Sequence, residues 1–473
     1  MTPTATAAAA PDLLRAQLLA GAEAAMARVA PGLPAEAAGL VGPLFASLDT
    51  AELAAEPPEA LADAAASLLS GALRRRPGEA SVRLVAPRRG VHPVAEIVTD
   101  DMPFLVDSAL AALALAGRGV GRLLHPILPV RRNAEGAFLG FGGEGARPES
   151  LMRIETAAGA GRLPGVRPAE GDAALADALR RAMADTRRAV AAFPALLDRL
   201  QAAEAELAAE PDAAALMRWL ADDNFVLLGH RRLDAAPGGG LLASEEIGLL
   251  DDPSVPVFDA LRDLSAVPDS LRHAALEAGP VAVMKANLRA TVHRPQHADV
   301  VLARIPGGGV RLFLGLFAAA AYNRNPRAIP WLARKVERIL AMAGVAPDSH
   351  DGRAFRNILD TWPRDELFQA EEAEILAGAR IALDLSIRPR AALSVRRDRF
   401  GRFVSILAWL PRDSFDTALR ERIGRLLAEA FGGRLSAWYI ALGDGPLARV
   451  HYIIGTVPGR VAAVDEAALS LAV

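Results

Sequence analysis

Two stretches of this sequence carry polar side chains in patterns that could bind a small charged molecule. The first lies between a predicted strand at 94–98 and a helix predicted from Ser108, and it contains two neighbouring aspartates. The N-terminus of a helix offers free backbone N–H groups that suit a carboxylate, and the aspartates would hold an ammonium group. A zwitterionic amino acid meets both conditions, whereas capping of the helix by an aspartate is the alternative. The residues predicted to bind such an effector are Asp100, Asp101, Pro103, Phe104 and Leu105.

The second stretch surrounds Lys285, one of only two lysines in the chain. The pattern places it at the end of a strand, beside hydroxyl, imidazole and guanidinium donors. Donors of these types predict an anion site made of Lys285, Thr291, His293 and Arg294. The alternative is a sheet edge on which these polar groups satisfy one another.

No catalytic, cofactor-binding or metal-binding set is predicted. The glycines of 140–145 match GxGxxG, but Pro148 and a strand follow where a dinucleotide-binding fold requires a helix, so this stretch is predicted to be a loop. His293 and His297 flank Pro295, which disfavours a helix that presents both imidazoles on one face. The chain has no cysteine, which excludes thiolate metal sites and a cysteine nucleophile.

Length and charge narrow the class of protein further. A chain of 473 residues is too long for a single core and indicates about three or four domains. Acidic residues balance the arginines to a net charge of −3, so a nucleic-acid partner is not expected. No apolar run reaches the roughly 18 residues of a membrane span, and the N-terminus lacks the basic region of a secretory signal. We therefore expect a cytoplasmic protein without a membrane partner.

The elements that must position these stretches alternate between helix and strand, which predicts a multidomain α+β protein. Residues 79–165 follow the order strand, loop, helix, strand, strand, which is most of a ferredoxin-like unit, and 389–460 follow the order ββαββ. The predicted segments are a helical segment at 1–78, a small α+β domain at 79–165, a helical connector at 166–215, an antiparallel-sheet domain at 216–321, a helical junction at 322–388, a second small α+β domain at 389–460 and the start of a further element at 461–473.

Several motifs beyond about residue 80 resemble the N-terminal region of the large bacterial NAD-dependent glutamate dehydrogenases. Matches of this length, in this order, identify the family. The motifs that carry the resemblance are Asp101–Ser108, Lys285–Asn287, Thr291–Pro295, Phe313–Phe317, Ala320–Asn323, Ser349–Gly352, Pro363–Gln369 and Gly401–Ser405.

The resemblance implies ACT-like modules (ferredoxin-like βαββαβ units that often sense amino acids) at 79–165 and 389–460, and a PAS-like domain at 216–321. These modules would precede a separate catalytic domain. For the complete protein the resemblance implies that NAD oxidises L-glutamate and that water then releases ammonium, which gives 2-oxoglutarate, ammonium and NADH. The glutamate site and the NAD-binding Rossmann fold of the family are not recognised in this chain, so no cofactor is expected to bind to it.

The leading hypothesis is a regulatory and oligomerisation region that senses an amino-acid effector. Its expected partners are its own catalytic domain and sister subunits in a homo-oligomer. The alternative is a structural scaffold of degenerate ACT-like folds that binds no small molecule. An enzymatic function would depend on the family's catalytic part.

Overall fold

A computed structural model describes residues 9–159, 171–235, 241–252, 279–398, 401–443, 445–457 and 461–473. Contacts between Cα atoms divide the chain into two compact units. Among the described residues, the first unit contains those up to Val190 together with Thr291–Pro295, and the second contains all the others. Helices are combined with three separate antiparallel sheets, which confirms the predicted multidomain α+β class. The predicted boundary at 165 lies outside the described residues.

The first unit opens with a group of helices. Pro58 begins one of them, at a position where its missing N–H costs nothing because the first turn has no partner for it. A 3₁₀ turn, Ala35–Leu40, joins two of them. The helices are α1 (Ala9–Val29), α2 (Val41–Leu44), α3 (Thr50–Ala54) and α4 (Pro58–Ser70).

A six-stranded sheet follows, in the order β1-β2-β6-β4-β5, with β3 also paired to β6. Its strands are β1 (Ser81–Val85), β2 (Val94–Asp100), β3 (Arg118–Leu124), β4 (Ile127–Arg132), β5 (Phe138–Phe141) and β6 (Arg147–Ala158). Successive side chains of a strand point to opposite faces. Ile97 accordingly packs with the helix α5 (Leu105–Leu115) and the start of α6 (Gly171–Glu206), whereas Val98 packs with the N-terminal helices. Helices therefore cover both faces of β2.

The second unit contains a five-stranded sheet in the order β8-β7-β11-β10-β9. Its elements are α7 (Pro211–Trp219), β7 (Phe225–Ala235), β8 (Leu241–Gly248), β9 (Val281–Arg289), β10 (His297–Ile305) and β11 (Gly309–Phe317). Every residue of β11 is buried, as expected for a central strand with both faces covered. Lys285 lies in the middle of β9, not at the end of a strand as predicted, because pairing with β10 continues to Arg289.

Five helices connect this sheet to the last one. They are α8 (Ala319–Asn323), α9 (Pro330–Ala343), α10 (His350–Asp360), α11 (Arg364–Gln369) and α12 (Glu372–Ile387). Aromatic side chains hold them to the sheets on either side: Phe368 of α11 stacks on Phe317 with ring centroids 4.4 Å apart, and Trp362 contacts Trp409. These helices and both sheets therefore share one core.

The last sheet has the strand order β12-β13-β15-β14, and its helix packs on one face. Its elements are β12 (Ala392–Arg397), β13 (Phe403–Pro411), α13 (Thr417–Ala430), β14 (Arg434–Leu442), β15 (Leu447–Gly455) and α14 (Glu466–Ala472). This is the ββαββ order that the sequence predicts. No helix among the described ranges is long and apolar enough to cross a lipid bilayer.

Candidate effector-binding site

The loop between β2 and α5 begins the candidate site. Helix α5 starts at Leu105, three residues before the predicted Ser108, and Phe104 occupies its N-cap position with a φ of +70°. Phe104 cannot accept a hydrogen bond through its side chain, and no side-chain cap is formed there. The alternative role predicted for the aspartates, capping this helix, is therefore not observed. The first N–H groups of α5 lack the usual side-chain acceptor.

The carboxylate of Asp100 accepts three strong hydrogen bonds at the end of β2. Its donors are Arg75 Nη2 at 2.7 Å, the Gly78 N–H at 2.7 Å and Arg187 Nη1 at 2.8 Å. Arg75 also pairs with the buried carboxylate of Glu149 at 2.6 Å. Burial opposes ionisation of Asp100, but the Gly78 hydrogen bond and the two arginines outweigh it and lower the pKa. These contacts make Asp100 an anchor of the loop.

The segment 291–295 contributes the other side of the site within the first unit. His293 Nδ1 lies 2.8 Å from Asp107 Oδ2, and the His293 backbone N–H donates to Ser108 Oγ at 3.1 Å. The rings of His293 and Phe104 are 5.2 Å apart. The structure thus brings together two stretches that the sequence analysis treated as separate sites.

Backbone strain is concentrated at this contact. Three non-glycine residues in the described part of the chain have a positive φ: Phe104, Asp223 and His293. Two of the three, Phe104 and His293, are the residues whose rings meet above the start of α5. Such conformations cost of order 1–3 kcal/mol each and are concentrated at functional sites.

The remaining predicted residues have different exposures. Asp101 is half-buried, Pro103 is exposed, and Leu105 is buried in the core of the first sheet. Thr291 donates its hydroxyl to Asp185 Oδ2 at 2.6 Å, and Arg294 belongs to the same segment. The carboxylates of Asp101 and Asp107 flank the helix start, so the arrangement can hold an ammonium group near N–H donors for a carboxylate.

Lys285 lies in the second unit and belongs to a different cluster. Its ammonium group is 2.7 Å from Asp299 Oδ1 and 3.2 Å from Asp365 Oδ1, and the Tyr322 hydroxyl donates to Asp365 at 3.0 Å. β9 is the edge strand of its sheet, and these contacts satisfy the ammonium group there. The anion site predicted from Lys285, Thr291, His293 and Arg294 remains a prediction.

The Lys285 cluster holds two carboxylates beside one ammonium group, and the pKa values reflect it. Burial alone would lower the pKa of Lys285, but Asp299 and Asp365 raise it well above the ordinary value. Burial raises the pKa of Asp299 to about 6 in spite of Lys285, and the neighbouring Asp365 adds to the increase. Lys285 is therefore a charged ammonium group held in ion pairs with Asp299 and Asp365.

A second buried cluster was missed by sequence reasoning. Arg396 Nη2 and Nε donate to the two oxygens of Glu366 at 2.7 Å each, and Ser405 Oγ lies 2.7 Å from His451 Nε2. Burial opposes ionisation of Glu366, but Arg396 outweighs it and lowers the pKa to about 2. The four residues come from four elements, so no local spacing identifies them; Glu366 and Ser405 do lie in motifs that carry the family resemblance.

This cluster has the residue types of a catalytic triad but not its geometry. A triad needs the carboxylate and the hydroxyl on different nitrogens of the imidazole. Here Ser405 Oγ and Glu366 Oε1 both approach His451 Nε2, the latter at 3.6 Å. The cluster therefore does not support nucleophilic catalysis. Within the described residues, no group of three or more histidine, aspartate and glutamate side chains could hold a metal ion.

Comparison with known protein families gives three matches along the chain. The family described as "Glutamate dehydrogenase, ACT1 domain" matches residues 40–161. The family described as "Glutamate dehydrogenase, helical motif 1" matches 329–388, and "Glutamate dehydrogenase, ACT2 domain" matches 392–473. The loop between β2 and α5 lies in the first match. Of the buried cluster, Glu366 lies in the "helical motif 1" match, and Arg396, Ser405 and His451 lie in the "ACT2 domain" match.

Curated relatives carry the name "NAD-specific glutamate dehydrogenase". That of Halomonas elongata is 31% identical over 397 residues, which cover 77% of this chain and 24% of the relative. That of Pseudomonas aeruginosa is 28% identical over 80% of this chain, and that of Mycobacterium tuberculosis 29% over 77%. The chain thus spans about a quarter of the length of the relatives it matches.

Proposed function

The chain belongs to the NAD-specific glutamate dehydrogenase family, and on that premise we propose that it forms a regulatory and oligomerisation region of such an enzyme. The matched domains fit an N-terminal region. In this proposal the complete protein oxidises L-glutamate with NAD and water to 2-oxoglutarate, ammonium and NADH. The NAD site and the catalytic groups belong to a separate domain, against which this region packs together with sister subunits.

The regulatory part of the proposal is that the loop between β2 and α5 binds an amino-acid effector. The observation that carries it is the contact of two strained residues, Phe104 and His293, above an uncapped helix start. Asp101 and Asp107 supply negative charge for the ammonium group, and the free N–H groups of α5 suit the carboxylate. Strain of this kind persists when surrounding contacts impose it, and Asp107, Ser108 and Asp185 supply those contacts.

A titration of the chain with single amino acids tests this proposal. A ligand that binds the folded state alone stabilises it by RT ln(1 + [L]/Kd), about 2.7 kcal/mol at a hundredfold excess over Kd. We expect one amino acid to raise the melting temperature and NAD to leave it unchanged. Asp101→Asn should abolish the shift, and Glu144→Gln, at an exposed loop position, should keep it.

The structural-scaffold alternative makes the opposite prediction. If none of the amino acids shifts the melting temperature, or if Asp101→Asn leaves the shift intact, the loop is not an effector site.

The oligomerisation part of the proposal has a separate test, because light scattering should show an assembly larger than one chain. A cytoplasmic location completes the proposal, supported by a sequence without any cysteine for disulfides.

A further inference from the structure

A cavity of about 190 Å³ lies in the second unit, lined by residues of α11, α12, β12 and β13. One part of its wall is apolar and includes Trp362, Ile375 and Leu407. The other part is polar and includes the side chains of Glu374 and Arg396. Small-molecule sites in proteins combine apolar walls with a few convergent polar groups in this way.

Arg396 supplies a donor that its own ion pair leaves unused. Its side chain is nine-tenths buried and donates hydrogen bonds from Nε and Nη2 to the carboxylate of Glu366. Among the described residues, Nη1 has no hydrogen-bond partner, and the hydroxyl of Ser394 stands two positions away on β12, in the same wall. Side chains two residues apart on a strand point to the same face. A guanidinium N–H and a hydroxyl on one face can hold a carboxylate.

Glu374, an exposed residue, adds a carboxylate to the lining of the cavity. Glu374 lies in the first turn of α12, where one of its oxygens accepts the Glu371 N–H at 2.8 Å. Glu366 and Arg396 pair with each other, and the ammonium group of Lys335 donates to the carbonyl of cavity-lining Ala370, so among the described lining residues Glu374 is a carboxylate outside any ion pair. An ammonium group that faces Glu374 is therefore favoured.

The cavity limits the size of the ligand. One water molecule occupies about 30 Å³ of the liquid, so the volume corresponds to about six heavy atoms. The amino acid alanine has six heavy atoms, so it matches this volume. The apolar wall formed by Trp362, Ile375 and Leu407 suits a small apolar side chain.

We propose that this cavity binds a small α-amino acid, with its carboxylate on Arg396 and Ser394 and its ammonium group on Glu374. The site connects the helices that match "helical motif 1" to the sheet that matches the "ACT2 domain". It shares no residue with the loop between β2 and α5, so it goes beyond the proposed effector site and each can fail without the other.

Calorimetric titration of the full chain with L-alanine tests the proposal, with propionate as the matched ligand that lacks the ammonium group. Ala377 is exposed on α12 and lines the cavity, so Ala377→Phe should block it with little effect on the fold. Ala373→Phe places the same side chain at an exposed position of α12 that is not part of the cavity lining, and this variant should bind as wild type does. We expect Glu374→Gln to weaken L-alanine binding at least about tenfold, as loss of a charge-assisted contact does, and Ala377→Phe to weaken it at least as much because the ring fills the cavity.

Binding of L-alanine that is unchanged in both Ala377→Phe and Glu374→Gln would overturn the proposal, as would no binding to the wild-type chain at millimolar concentrations. Propionate that binds as tightly as L-alanine would remove the role of Glu374. Asp101→Asn serves as the control for the other site, and it should leave this titration unchanged.

Discussion

A buried ion pair of the second unit joins two residues that are distant in the sequence. Glu366 and Arg396 are separated by 30 positions, and their side chains are 6% and 10% exposed. A buried charge without its partner is far more costly than an exposed one, because the protein interior does not solvate it. A substitution that removes one partner of such a pair is therefore strongly destabilising.

Glu366→Gln should destabilise the protein by about 3–5 kcal/mol, because it leaves the buried Arg396 without a counter-charge. Urea denaturation at neutral pH measures the change in unfolding free energy. Glu337→Gln is the control, since Glu337 pairs with Arg334 on the surface and its loss should change little. A Glu366→Gln midpoint equal to that of wild type would contradict the assignment.

Two histidines, His230 fully buried and His297 half-buried, make the protein sensitive to acid. Burial lowers the pKa values of His230 and His297 to about 4, and the nearby charges of Arg311 and Arg289 respectively add to the decrease. The unfolded chain binds these protons near the ordinary histidine pKa of 6.5, and the folded chain does not. The unfolding free energy should therefore fall as the pH is lowered from about 6.5 to about 4.

His230→Leu should lose less stability between pH 7 and pH 5 than the wild type does, measured by urea denaturation at both values. Asp299 acts in the opposite direction: its raised pKa stabilises the fold below about 4, and this contribution is lost as the pH rises to about 6. The comparison between variants cancels that contribution. His350→Asn, at a side chain 90% exposed, is the control, and equal pH dependence of His230→Leu and wild type would contradict the prediction.

At the scale of elements, the central strand β11 shows how closely the five-stranded sheet is packed. Gly315 lies at a register shift opposite β7, where a Cβ atom would be 2.3 Å from the carbonyl oxygen of Val226 and 2.4 Å from the ring of Phe225. Real Cβ contacts are never that short, so this position requires glycine. The same glycine lies in the motif Phe313–Phe317 that carries the family resemblance.

Gly315→Ala should destabilise the second unit by about 1–3 kcal/mol, as over-packing of a core generally does. Gly443→Ala is the matched control, because a Cβ atom there meets nothing within 4 Å. Thermal unfolding followed by circular dichroism compares the two variants. A melting temperature for Gly315→Ala as high as that of Gly443→Ala would show that β7 and β11 can separate to admit a methyl group.

For the whole molecule, the division into two compact units predicts how it unfolds. Separate clusters of buried apolar residues fill each unit: Leu179 belongs to one cluster of the first, and Leu427 to one cluster of the second. Chains with separate cores do not in general unfold in one all-or-none step. We therefore expect differential scanning calorimetry to resolve two transitions.

Leu179→Ala and Leu427→Ala should each lower the unfolding free energy of a different unit by about 2–5 kcal/mol, since both leucines are fully buried. Each variant should therefore lower the melting temperature of a different transition. Two variants that lower one common transition equally would mean that the units unfold together. An amino acid that binds the loop between β2 and α5 should raise the transition that Leu179→Ala lowers. One that binds the cavity beside Arg396 should raise the other.

The sequence by itself determined the features that depend on neighbouring positions. The short apolar run at 94–98 is enough to predict the strand β2, and the ββαββ order of the last sheet follows from alternation and turns. The order of motifs such as Pro363–Gln369 is enough to identify the family. Each of these signals is local because it reflects the periodicity of one strand, one helix or one turn.

The tertiary structure decided which distant residues meet. It places the segment 291–295 with the first unit, where His293 faces Asp107, and it leaves Lys285 to the second unit beside Asp299. It also assembles Glu366, Arg396, Ser405 and His451 from four elements. No local pattern encodes such contacts, because ion pairs and strained backbone arise when packing of whole elements brings separate parts of the chain within a few ångströms.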